Sequence, residues 1–492
     1  MDAMPGLIAR LLEAGAGNLA AYLAAHVLLC LLPAFFIAGA MVALIPQGAV
    51  TRFLGRDASK AVSYPAAAAA GSLLAVCSCT IVPLFAGIYR KGAGLGPAIT
   101  FLFFAPAANI LALVYTGGVI GVDLAGARFF LSLAFGIGIG LIMAVLFRAE
   151  EDVREQAANN MFAAQGPTKP SGAALAFLGL WVALLLAGTL KLAFLTGAAF
   201  EVTLPWEGAA TWQAMLDRLV PADASRGEEG LSLQGVALIA LLAAIGLTAW
   251  KGLENILDGF GTWARASLVL IAATLLFACL TVRVVPGALA IGFTGKFLAV
   301  AACLALIGTV AARALPREDL QSWLWESWRF VKQIFPLLVA GVFVVGMLRA
   351  VIQPEWIRAV AGTNSVAGNL AGVVFGVFMY FPTLVEVPIA RMFLDLGMHR
   401  GPLLAYLMAD PELSLQSILI ISAILGRKKT AAYVGLVALF STISGLAYGY
   451  WVDGTPLAPI ALAVIAFIAA LAALVHRAGA GPAAHPYHSP GA

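Results

Sequence analysis

Apolar residues run along this chain in blocks of roughly 20, the length that carries an α-helix across a bilayer, separated by short polar or charged turns. Such blocks occupy 19–45, 64–89, 94–116 and 125–147, then 171–197, 231–249, 265–285 and 287–312, then 333–351, 368–393, 401–425 and 430–451, and finally 457–475. Reading each as a transmembrane helix predicts an all-α polytopic membrane protein of about 12 or 13 crossings. Residues 1–18 carry Leu7, Ile8, Leu11 and Leu12 at helical spacing with Arg10 and Glu13 on the other side, which predicts an interfacial helix rather than a cleaved signal peptide. A polar linker is expected at 148–170, a loop rich in Asp and Glu at 200–230, and an amphipathic interfacial stretch anchored by Trp323, Trp325 and Trp328 at 313–332. The Pro/Gly/Ala tail at 477–492 is expected to be disordered.

The breaks inside these blocks recur. From Cys77 the chain reads CSCTIVPLFAGIYRKGAGLGPAITFLFFAPAAN, and 305 residues later, from Pro382, it reads PTLVEVPIARMFLDLGMHRGPLLAYLMADPELS. At that constant offset Pro83 meets Pro388, Gly92 meets Gly397, Gly96 meets Gly401, Pro97 meets Pro402 and Pro106 meets Pro411. Gly and Pro set turns, close approaches and helix breaks, so a shared offset predicts a shared backbone path. The approaches match as well: LLPAFFIAGA at 31–40 resembles IFPLLVAGVF at 334–343. The chain is therefore expected to hold two four-span repeats with Pro/Gly-broken helices, 19–147 and 333–451, around a middle insert at 171–312, with a last span within 452–476. Repeats with helices broken at corresponding places are the sequence pointer to a transporter whose site lies at the breaks. Their relative orientation stays open. Eight spans between equivalent helices would make them parallel, whereas Arg90-Lys91 and Arg427-Lys428-Lys429 share the cytoplasmic side only if the repeats are inverted.

Composition agrees with the solvent that the pattern implies. With 62% apolar residues, 11% charged residues and a mean hydropathy of +0.96, the chain lies far from soluble domains. A net charge of +4 spread over short loops is an orientation signal and gives no reason to expect nucleic acid. The five cysteines, at 30, 77, 79, 279 and 303, all lie in apolar segments, so no secreted disulfide framework is expected.

At the breaks the two repeats carry different chemistry. Cys77 and Cys79 stand one residue apart beside Ser78 and Thr80, where the second repeat has Pro382 and Leu384. Two thiolates so placed can turn to one soft acceptor such as Cu(I), Zn or a thiophilic metalloid, and the bland alternative is a pair of small core residues. Two ligands suit a monosubstituted arsenic(III), and Cys30, Cys279 or Cys303 would be needed for a third. Glu386 replaces Ile81, and Asp410 and Glu412 replace Ala105 and Ala107 around Pro411. A carboxylate at membrane depth costs about 2.5–3.5 kcal/mol on insertion scales, which marks these residues for proton coupling or gating. Their alternative is helix capping. Asn109 is the matching polar group of the first repeat, as a cap or a substrate contact. Neither a phosphate-binding loop nor a zinc-enzyme motif occurs, so the chain is expected to be neither an ATPase nor another enzyme and to need no cofactor.

The segments CSCTIVPLFAGIYRKGAGLGPAITFLFFAPAANILAL and FPTLVEVP through LGRKKT resemble the signatures of the ArsP-type (YraQ-like) permease family. That resemblance covers both repeats. It implies a multi-pass efflux permease of the cell inner membrane, with members tied to resistance to trivalent organoarsenicals and to recognition of arsenic by cysteine. Carried over, the thiol pair falls on Cys77 and Cys79 and the acidic residue of the second signature on Glu386. The chain departs from the resemblance at Asp410, Glu412 and Gln416, where small or apolar residues are expected. The partners implied are a thiophilic small molecule and the lipid bilayer, and a homo-oligomer is compatible with the sequence. Three other readings compete: a transporter of another solute or a metal cation that uses the carboxylates while the cysteines are structural, a membrane thiol-redox enzyme using CxC, and a membrane partner subunit without transport of its own, for which only 148–170 and 200–230 offer a soluble face.

Overall fold

The computed structural model describes residues 3–25, 27–55, 58–73, 78–154, 170–190, 193–220, 230–349, 351, 354–378 and 383–479. It is 82% helical, an all-α polytopic membrane protein with one small sheet. The first half comprises α1 (Ala3–Ala25), a π-turn at Val27–Leu31, α2 (Leu32–Leu44), α3 (Gln47–Leu54), α4 (Lys60–Leu73), α5 (Ser78–Arg90), α6 (Leu95–Ala107), α7 (Ile110–Val119) and α8 (Val122–Leu146). The middle block holds α9 (Gly172–Thr189), β1 (Ala198–Pro205), α10 (Ala209–Leu219), α11 (Leu233–Gly252), α12 (Thr262–Ala278), β2 (Leu280–Val285), β3 (Ala288–Thr294) and α13 (Gly295–Ala314). The second half comprises α14 (Arg317–Arg349), α15 (Pro354–Ala361), α16 (Val366–Phe378), α17 (Thr383–Asp395), α18 (Arg400–Leu413), α19 (Leu415–Leu425) and α20 (Arg427–Val452), and α21 (Leu457–Gly479) follows it.

The broken helices fall where Pro and Gly lie. α5 and α17 start at Ser78 and Thr383 and end at Arg90 and Asp395, so both bounds differ by 305. The starts of α6 and α18, of α7 and α19, and of α8 and α20 differ by the same 305. After α5 and α17 the chain turns at Gly92 (φ 91°) and Gly397 (φ 92°), a backbone region that side chains rarely adopt. The same packing recurs. α4 lies on α6 and α6 on α8, as α16 lies on α18 and α18 on α20.

The long helices α8 and α20 run antiparallel. Tyr448, near the end of α20, donates to Asp123 at the start of α8 (2.8 Å), and Arg400 joins that carboxylate at 2.8 Å. At the opposite end, Lys429 at the start of α20 meets Glu151, just past α8, at 2.5 Å. These two helices, whose starts differ by 305, therefore point opposite ways. Between the halves α6 touches α18 and α8 touches α20. The tips cross reciprocally, with α5 against α19 and α7 against α17.

Seven helices among the described residues are long and apolar enough to cross a membrane, or nine if two bent pairs each count as one span. This falls below the expected 12 or 13 because broken spans are short helices here and because the middle block differs from its sequence reading. The expected spans 265–285 and 287–312 are α12, a β-hairpin turning at Gly287, and α13. The expected span 171–197 ends at Thr189. The loop expected at 200–230 contains most of β1 and α10, and β1 joins the hairpin in the order β1-β3-β2.

The interfacial stretch at 313–332 is the first half of one 33-residue helix, α14, and its aromatic anchor is core. Trp323 (5% exposed) donates its indole N–H to the Phe36 carbonyl at 2.9 Å and clusters with Phe36, Phe177 and Trp181, clamping α2, α9 and α14 together. At the N-terminus no boundary separates an interfacial helix from the span after residue 18, because α1 continues to Ala25. The linker expected at 148–170 is helical at 148–154, and 155–169 lie outside the described residues, as do 480–492 of the expected tail.

Candidate functional site

Among the described residues each half presents a break between helices, at 108–109 in the first and at 414 in the second, while 74–77 and 379–382 lie outside the described residues. The reciprocal contacts α5 with α19 and α7 with α17 bring segments flanking these breaks together from both halves. Cys77 lies outside the described residues, as do the side chains of Ser78 and Cys79, whose backbone opens α5. Thr80 is fully buried, and its hydroxyl meets the thiol of Cys30 from the π-turn. Of the three candidate third thiols, Cys30 thus meets Thr80, the residue that follows the CSC segment. Cys279 and Cys303 belong to the middle block. Among the described residues no group of three or more His, Cys, Asp or Glu could hold a metal ion.

Asn109 acts as a helix cap. Its side-chain oxygen accepts from the Ala112 N–H at 2.8 Å and its amide donates to the Pro106 carbonyl at 3.3 Å, satisfying groups that a helix break leaves without partners. Ser414 occupies the same place in the second half but makes no side-chain cap, bonding instead to the Ser417 hydroxyl at 2.7 Å.

Glu386 sits in the first turn of α17, 1% exposed. It does not stand alone. Arg128 of α8, 0% exposed, donates from Nη2 to both carboxylate oxygens at 3.0 and 3.2 Å. The same guanidinium donates from Nε to the Ala107 carbonyl at 2.6 Å and from Nη1 to the Thr116 hydroxyl at 3.4 Å. The carboxylate is thus held by one nitrogen shared between its two oxygens, a charge-assisted contact, while the other two nitrogens hold the first half. Arg128 is absent from the sequence-derived candidates, although a lone arginine inside an apolar span is as costly as a lone glutamate and carries the same signal.

In the second half, position 433 corresponds to 128 and position 412 to 107. The phenol of Tyr433 donates to Glu412 Oε2 at 2.5 Å, repeating with a neutral donor the link that Arg128 makes to Ala107. Glu412 Oε1 and both amide atoms of Gln416 are buried and find no hydrogen-bond partner among the described residues. Asp410 is fully buried where α18 approaches Gly376 of α16. Glu386, Asp410 and Glu412 thus all lie out of water, each within two residues of a proline inside a half-helix.

A family model described as a predicted permease, ArsP_1, matches residues 13–450. The UPF0718 protein MJ0584 of Methanocaldococcus jannaschii is 31% identical over 428 residues, spanning 87% of this chain and 93% of that protein. The UPF0718 protein YraQ of Escherichia coli is 29% identical over 123 residues, 25% of this chain and 35% of that protein. No solved structure matches the chain.

Proposed function

This chain belongs to the ArsP_1 family of predicted permeases, and from that premise we propose a secondary transporter in which two inverted copies of one unit enclose a site at their broken helices. The observation that carries the reading is the pairing of breaks 305 residues apart on helices that run in opposite directions. Alternating access then rocks one half against the other about a site near the bilayer midplane. The cargo is a thiophilic small molecule, a trivalent organoarsenical such as methylarsenite, exported across the cell inner membrane. Cys77 and Cys79 bind the arsenic, with Ser78, Thr80 and the capped Asn109 forming the wall beside them and Cys30 in reach as a third thiol. Glu386, Asp410 and Glu412, facing Arg128 and Tyr433, gate the site or couple it to protons.

A second reading has its own observation. Buried, unpartnered oxygens on Glu412 and Gln416 suit a cation or a hydrogen-bonding solute better than a soft metalloid, in which case the thiols are structural.

Uptake of methylarsenite into everted membrane vesicles separates the two. The intact chain is compared with C77S/C79S and with E386Q, each with and without an imposed pH gradient. Arsenical export with proton coupling predicts uptake that is lost in the thiol variant and insensitive to the gradient in the carboxylate variant. Intact vesicles that take up no more than vesicles lacking the protein would reject the arsenical cargo and favour the second reading.

A further inference from the structure

Arg128 has no counterpart of its own kind in the molecule. Its guanidinium stands between two half-helix ends from different halves. On one side is the last residue of α6, Ala107, at an end where helical carbonyls lack partners and the dipole is negative. On the other is Glu386, in the first turn of α17, where the dipole is positive. Arg128 therefore ties the first half's break to the second half's break at zero exposure.

The equivalent contact across the pseudo-symmetry cannot form. Tyr433 stands for Arg128 and Ile81 for Glu386, a phenol and an alkyl chain, and Tyr433 turns to Glu412 of its own half. In a cycle that exchanges the conformations of two inverted halves, each contact on one face has a twin on the other. Here one member of the twin is an ion pair and the other is not, so a movement that parts 128 from 386 loses a contact for which 433 and 81 offer no replacement. A contact present in one state alone shifts the population toward it.

We propose that Arg128 is a positioning residue of the transport cycle: by holding Glu386 against the α6 tip, it sets the balance between the state described here and the opposite-facing one. The proposal rests on the permease reading, but its test needs no cargo. A purely structural pair would behave differently, because replacing both members of a buried ion pair by apolar side chains is often neutral.

Hydrogen exchange of the full chain in lipid nanodiscs, without substrate, distinguishes these cases. In R128M/E386L no buried charge is stranded, so the melting temperature stays near that of the unaltered chain. Exchange is expected to rise about tenfold or more both at 108–120 and at 379–395, since a bistable element responds as a unit. R128K keeps the charge but gives up the simultaneous bonds to Ala107 and Thr116, and should fall between. Unchanged exchange in R128M/E386L, or a rise confined to one half, would overturn the proposal. Failure of methylarsenite uptake in the intact chain would count against the cargo alone and leave this result standing.

Discussion

From α5 to α8 and from α17 to α20 the helices start at one constant offset of 305 residues and carry opposite chemistry along it. Around 80–109 the first half offers an amide cap and the arginine that leans onto it from α8, and its sequence places two thiols just before that stretch. Around 379–414 the second half offers three buried carboxyl groups and a phenol. Gly and Pro are shared because they decide where helices stop and how closely they pass, whereas the side chains that face the breaks were free to diverge. A cation contributed by one half and an anion by the other make the halves interdependent, which two identical copies would not be. The asymmetry is therefore where function is to be sought, and the symmetry is scaffold.

Breaking the cross-half ion pair is the harshest test of that view. R128M leaves Glu386 as an uncompensated charge and should cost about 3–5 kcal/mol of stability, while R128M/E386L should recover most of it. Denaturant unfolding in mixed micelles reads both. The matching Y433F removes only a neutral donor to Glu412 and should cost about 1–3 kcal/mol, the usual loss when a buried acceptor is left unsatisfied. Equal costs at positions 128 and 433 would erase the distinction between the halves.

A smaller effect tests the shared scaffold. A Cβ added at Gly376 would lie 2.9 Å from the Asp410 backbone nitrogen, and one added at Gly71 would lie 3.0–3.2 Å from Ala105, the equivalent position. G376A and G71A should each destabilise by about 1–3 kcal/mol through overpacking, read as lowered melting temperatures. If one is silent while the other is costly, the two helix crossings are not equivalent and the shared offset does not carry shared packing there.

Much of the scaffold was legible in the sequence because it rests on backbone rules that side-chain divergence does not touch. The five Gly and Pro coincidences share the 305-residue offset that separates the helix starts, and Glu386 announced itself by its expense in an apolar run. Arg128 announced itself in the same way but sits near the start of a block whose other residues invite reading it as an ordinary span. Its partner lies 258 residues away, which no local pattern reveals. Orientation was obscured by the middle block. The stretch LTVRVVPGALAIGFT is apolar enough to extend two helices, yet Pro286-Gly287 at its centre and its β-branched residues mark a hairpin. Trp323 misled for another reason, since a tryptophan near charges fits a membrane interface and a packed core equally well until its neighbours are known.

The mildest prediction sharpens the comparison at the second break of each half. Asn109 and Ser414 are equivalent residues, both at the start of a half-helix, both preferred cap types, yet only Asn109 accepts a backbone N–H. N109A should therefore cost about 1 kcal/mol, whereas S414A, which loses only a bond to Ser417, should cost a few tenths. Hydrogen exchange in the first turns of α7 and α19 reports the difference directly. An S414A variant that loosens α19 as much as N109A loosens α7 would mean that the serine caps its helix after all. The second half would then hold its break as firmly as the first. Looseness of α19 against a fixed α7 would assign the moving tip to the acidic half and the fixed tip to the half with the thiols.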